Sequence, residues 1–232
     1  MNIKRIRVLR NVLLGGGLTV ALLFWLNLKT IAVLGFRDEE FELEIENHVE
    51  LDFFADPQKR VYYSDFNGDT KNERLLLEHG VVSVYINEEK IFKTEQEWDV
   101  EDVIIGDFNN DGNPDLGLYL WKTGSFGTSK PFWIKENDDS YKQHLFLYDW
   151  DEKQQKIAPL WHSSNLPYIN AKTILEDIDR DGKNELIVLE KPYDCLPGQY
   201  SKNVAVWRWD EWGFKNIWRS EDGKFDDLEV SK

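Results

Sequence analysis

Three times along this chain an apolar run enters a nine-residue acidic segment and a second apolar run leaves it. The copies are VYYS-DFNGDTKNE-RLLLE from Val61, VIIG-DFNNDGNPD-LGLYL from Val103 and TILE-DIDRDGKNE-LIVLE from Thr173. Recurrence of this kind means the fold is assembled from a repeated unit of strand, loop and strand. The flanking runs are short and rich in Val, Ile, Leu and Tyr, which is the length and composition of strands. Beyond the N-terminal segment no stretch keeps a 3.6-residue apolar period over three turns, so the expectation is an all-β chain.

Inside each acidic segment the oxygen-bearing side chains fall at positions 1, 3, 5 and 9. They are Asp65, Asn67, Asp69 and Glu73 in the first loop, Asp107, Asn109, Asp111 and Asp115 in the second, and Asp177, Asp179, Asp181 and Glu185 in the third. Hard cations such as Ca²⁺ take roughly six to eight oxygens at about 2.3–2.6 Å, and alternate Asp and Asn side chains around a tight turn supply them. Position 7 would add a backbone carbonyl from Lys71, Asn113 or Lys183. Gly112 and Gly182 at position 6 suit a sharp turn, whereas the first loop has Thr70 there. Phe66, Phe108 and Ile178 at position 2 are expected to point into the core. Counting carboxylates and glycines predicts that the third loop holds a cation most strongly and the first most weakly. Solvated turns also favour Asp, Asn and Gly, but they do not demand the same alternation three times.

The exit from the loop separates two kinds of calcium site. An EF-hand loop runs for about twelve residues, closes on a Glu and enters a helix; here the last acid comes at position 9 and is followed at once by Leu186-Ile187-Val188-Leu189. The pattern resembles the FG-GAP/VCBS repeats of integrin α-subunit propellers and of many bacterial extracytoplasmic proteins. That resemblance covers the three loops with their flanking strands and, through their spacing, most of residues 60–190. It implies a β-propeller whose Asp-rich loops hold Ca²⁺. Four strands follow the first loop before the second begins, at 74–78, 81–86, 91–94 and 100–106, which reads as one blade. A second set lies at 116–121, 144–149, 156–161 and 171–176, and a third at 186–190, 204–209, 214–219 and 225–230. With a partial set over 41–64, the expected fold is a small or partial propeller of about four blades. The ring would close by pairing of 41–64 with the C-terminal strand, stay open, or be completed by a second copy.

The N-terminus is of another character. Residues 1–10 are basic, residues 12–28 are apolar except for Thr19 and Asn27, and the apolar character resumes as far as Phe36. This predicts a cytoplasmic leader over 1–10, a transmembrane signal-anchor helix over 11–36 and an extracytoplasmic domain over 37–232, placing the chain at the plasma membrane as a single-pass protein. A cleaved signal peptide fits the same charges, but no A-x-A-like site follows the apolar run. The chain carries −15 overall, and its first 29 residues hold five basic and no acidic side chains. Removing those five from 28 basic residues leaves 23 against 43 acids, so the remainder carries −20, which repels nucleic acid. The single Cys195 excludes an intrachain disulfide and reads as an inert thiol.

Function is less legible. The expected role is a calcium-stabilised binding or scaffold module for a protein or glycan partner; the alternative is a calcium-dependent hydrolase or lyase acting on envelope polymers. His48, His79, His144 and His162 show no metal-protease spacing, and no G-x-S-x-G precedes a helix. Two insertions, 122–143 and 191–203, follow the first strand after the second and third loops, so they should share the rim opposite the cation loops. Long irregular loops are commonly functional. Phe126, Lys130, Phe132 and Trp133 in one, with Tyr193 and Tyr200 in the other, are the candidate ligand-binding residues. Most of the ten tryptophans fall in strands and are expected to fill the gaps between sheets.

Overall fold

The computed structural model describes residues 26–37, 39–51, 59–125, 135, 138–195 and 199–231, and every regular element there is a strand. β1 (Leu26–Arg37) and β2 (Glu40–Leu51) form a long antiparallel hairpin. β3 (Lys59–Ser64), β4 (Glu73–Glu78), β5 (Val81–Ile86) and β6 (Glu89–Lys93) then make an up-and-down four-stranded sheet. β7 (Asp99–Gly106), β8 (Asp115–Thr123), β9 (Tyr141–Asp151) and β10 (Lys156–His162) repeat that order, as do β11 (Ile169–Glu176), β12 (Glu185–Lys191), β13 (Asn203–Asp210) and β14 (Gly213–Arg219). β15 (Asp227–Val230) returns to pair in parallel with β1, so the fourth sheet has the order β15-β1-β2.

Each acidic loop joins the first two strands of its own sheet. The expected unit, four strands between successive loops, is therefore one strand out of phase with the pairing. The nine-residue turn sets its flanks in direct antiparallel register, with Ser64 opposite Glu73, Gly106 opposite Asp115 and Glu176 opposite Glu185. The crossing to the next sheet is made instead by residues such as 94–98 after β6. Pairing of the C-terminal strand also differs from expectation, because β15 meets residues 31–34 of β1, and β2 lies on β1's other side.

The four sheets stack face to face, the β3–β6, β7–β10 and β11–β14 sheets in chain order and the β15-β1-β2 sheet after them. Leu75, Leu77, Val82 and Val84 of the first sheet pack on Leu116, Leu118, Leu120 and Phe146 of the second. Tyr119, Leu145 and Leu147 on the second sheet's other face meet Leu186, Val188 and Ala205 of the third. Ile187, Leu189, Val204 and Val206 then meet Ala32, Leu34 and Leu228 of the fourth. Because β8, β9, β12 and β13 are covered on both faces, their sequences run apolar without alternation, as two-sided burial requires. The first sheet keeps an open outer face, on which Val61 and Tyr63 are exposed.

The expected membrane helix needs correcting over its second half. Residues 26–36 are strand β1, with Ile31, Ala32 and Leu34 buried, so the β-domain begins well before residue 37. The run is apolar because one face lies against the third sheet, and hydropathy alone does not distinguish a doubly paired core strand from a continuing membrane segment. Residues 1–25 lie outside the described residues, and among the described residues no helix is long and apolar enough to cross a membrane.

Candidate metal centre

The three acidic loops fold on one plan. The position-1 carboxylate accepts the amides of positions 5 and 6: Asp65 from Asp69 and Thr70, Asp107 from Asp111 and Gly112, Asp177 from Asp181 and Gly182, all at 2.8–3.1 Å. The position-3 oxygen of Asn67, Asn109 or Asp179 also accepts the position-5 amide. Asp69, Asp111 and Asp181 at position 5 accept the amides of Lys71, Asn113 and Lys183 at position 7. The alternation seen in the sequence thus wraps each turn around its own carboxylates, leaving each with further lone pairs.

Two residues per loop adopt positive φ. Position 6 does so as Thr70 (69°), Gly112 (92°) and Gly182 (89°), and position 4 as Gly68 (73°), Asn110 (62°) and Arg180 (61°). Thr70 follows the same path as the two glycines despite its branched Cβ, so the first loop has the shape of the others at a conformational cost. Position 2 plugs the core as expected, with Phe66, Phe108 and Ile178 each buried in a different inter-sheet cluster. Gly117 leaves room for Phe108, since a Cβ there would lie 2.7 Å from the ring.

Position 9 begins the strand that leaves each loop, and its acid turns inward. Glu73, Asp115 and Glu185 are 2%, 0% and 0% exposed and accept the position-2 amides of Phe66, Phe108 and Ile178. Burial pushes the Asp115 carboxyl up to about 7; the Phe108 amide opposes the rise, and Asp149 and Asp111 add to it. Burial also raises Glu73, Glu185 and Asp149.

The third loop brings its acids closest together: Asp177, Asp179 and Glu185 each place an oxygen within 4.8 Å of the others. It is also the loop with a resident cation. Arg208, opposite Glu185 on β13, donates through Nε to Glu185 Oε1 (2.8 Å) and through Nη2 to Asp179 Oδ2 (2.5 Å), with Nη1 3.4 Å from Asp181 Oδ2. Counting loop residues missed this charge, and it missed Asn110 and Asn184, which tie the second loop to the third: the Asn184 amide donates to Asn110 Oδ1 and its side chain to Asp107 O. Only strand register brings Arg208 to its loop, and only the stacking of neighbouring sheets brings Asn184 against Asn110 and Asp107. Beside the third loop a cleft of about 500 Å³ adds Glu42, Glu44 and Glu176 to Asp177 and Asp179.

The far ends of the strands carry the two insertions. Tyr193 is an anchor there, half-buried rather than a free platform: its hydroxyl donates to Leu166 O (3.0 Å) and accepts from Gln143 N (3.2 Å), and its ring meets Trp121 edge to face. These contacts join the two insertions. Tyr200 is exposed, as is Trp212 in the β13–β14 turn. Phe126, Lys130, Phe132 and Trp133 lie outside the described residues. Compared with protein-family models and with curated proteins, the sequence matches none.

Proposed function

We propose that this chain is an exported, calcium-dependent binding module of the FG-GAP/VCBS type, in which four stacked sheets act as a small propeller-like scaffold. The shared hydrogen-bond plan of the three acidic loops carries this reading, because each holds oxygen side chains at positions 1, 3, 5 and 9 around a turn closed by its own amides. Asp65, Asn67, Asp69 and Glu73, their counterparts in the second and third loops, and the carbonyls of Lys71, Asn113 and Lys183 are the residues that would hold Ca²⁺. Bound there, the ion locks the loop and neutralises its acids. The partner, a protein or glycan, would meet the opposite rim, where the insertions join. The basic leader over 1–10 and the apolar run that follows it direct export with the N-terminus left inside.

Thermal unfolding of the purified full chain in millimolar Ca²⁺ and in chelator tests the reading. An ion that binds only the folded loops raises the midpoint, by about 2.7 kcal/mol of added stability at a hundredfold excess over Kd. The same midpoint in both conditions would count against calcium binding.

A further inference from the structure

The three loops differ at one equivalent place, the residue opposite the position-9 acid on the next strand. Continuing the Arg74–Tyr85 pairing by one step sets Ile86 opposite Glu73. Continuing the Leu116–Tyr148 pairing by one step sets Asp149 opposite Asp115, and Arg208 pairs directly with Glu185. An apolar, an anionic and a cationic side chain therefore stand at corresponding positions beside three otherwise matching loops.

The buried acid is satisfied differently in each loop. Glu73 has both oxygens occupied, one by the Phe66 amide and the other by Asn67 Nδ2. Glu185 has the Ile178 amide on one oxygen and Arg208 on the other. Asp115 accepts the Phe108 and Asn109 amides on Oδ2, while its Oδ1 is buried and has no partner, on a side chain that is 0% exposed. A carboxylate oxygen so placed is left to find a donor, a cation or a proton. The residue opposite adds a second negative charge, and one Asp149 oxygen is committed to the Trp150 amide.

We propose that Asp149 completes the second loop as the principal divalent-cation site, joining Asp115 Oδ1 to Asp107, Asn109 and Asp111, while Arg208 serves the third loop as a built-in counter-cation. The assignment rests on the proposed cation-binding role of the loops and reverses the order expected from counting loop carboxylates. Ca²⁺ suits the second site, because its flexible coordination accepts oxygens from a turn and from a neighbouring strand together. In the third loop an arriving ion competes with a guanidinium already bonded to Asp179 and Glu185.

Calorimetric titration of the full chain with CaCl₂ alone is the test, with Asp149→Asn, Asp149→Glu, Asp179→Asn and Arg208→Gln compared after melting curves confirm folding. Ligand charge sets calcium affinity, so Asp149→Asn should weaken the tight site at least about tenfold and Asp149→Glu should recover most of that loss. Asp179→Asn should leave the tight site in place, and Arg208→Gln should add a second one. A tight site that survives Asp149→Asn, or that disappears with Asp179→Asn, would overturn this assignment while leaving calcium binding standing. Heat uptake by none of the proteins would overturn both.

Discussion

The backbone amide of Asn184 in the third acidic loop donates to Asn110 Oδ1 in the second at 2.7 Å, and the Asn184 side chain reaches Asp107 O at 2.9 Å. Neighbouring sheets are thus tied together at the loop rim as well as through their apolar faces. Asn110 has φ of 62°, a conformation that Asn tolerates better than most residues. Asn110→Gly keeps that backbone but leaves the Asn184 amide without its acceptor, and should cost about 1–2 kcal/mol. Asn110→Ala should cost about 1 kcal/mol more, because Ala pays for the left-handed conformation as well. Urea denaturation of both variants checks the order; an Ala variant as stable as the Gly variant would show that the backbone relaxes.

Thr70 holds φ of 69° where the other loops have Gly112 and Gly182. Its amide is still bonded to Asp65 Oδ2 at 2.8 Å, so the loop geometry is kept and the strain sits in one residue. A Cβ-bearing residue in this region costs on the order of 1–3 kcal/mol, and removing the side chain returns part of it against the greater freedom of Gly in the unfolded chain. Thr70→Gly should therefore raise stability by about 1 kcal/mol, and Gly112→Thr should lower it by a comparable amount. Melting curves in chelator separate this backbone effect from any change in ion binding. A Thr70→Gly variant less stable than its parent would mean that the threonine contributes contacts that outweigh its conformation.

The strands and loops were legible because both periods are local. The threefold D-x-D/N-x-D-x-x-x-D/E alternation marks the turns, and the apolar runs beside it mark strands, of which β8 and β12 are buried on both faces and so show no polar face. The grouping of strands was not legible, since it depends on which flank of a loop pairs with which, and a run of short strands reads equally well in either phase. Residues 31–36 misled for a related reason, as Ile31, Ala32 and Leu34 are as apolar in a core strand as in a membrane helix. Asp149 and Arg208 lay beyond reach altogether. Each sits far downstream of the loop it modifies, and only cross-strand register brings it there.

His144 and His162 flank Phe146, with the His162 ring stacked on it at 3.9 Å between centroids. Both nitrogens of His162 and Nε2 of His144 are buried without partners. Burial is the main cause that lowers each imidazole to about 4, and Lys122 pushes both the same way; His144 also opposes a charge on His162, while Ser163, Ser164 and Asp138 partly favour one on His144. Tyr148, the other ring against His162, stays neutral because burial raises its hydroxyl. The unfolded imidazole takes up its proton near pH 6.5 and the folded one only near 4, so the stabilising preference for neutral rings is complete above about 6.5. It is lost as pH falls from 6.5 to 4, by up to about 3 kcal/mol per ring, and changes no further below that. His162→Phe preserves the stack, removes two unpartnered nitrogens and should lessen the loss in that window by roughly half. Denaturant titrations at pH 7, 5.5 and 4.5 in chelator measure it; a variant with the parent's full acid sensitivity would assign the effect to other groups.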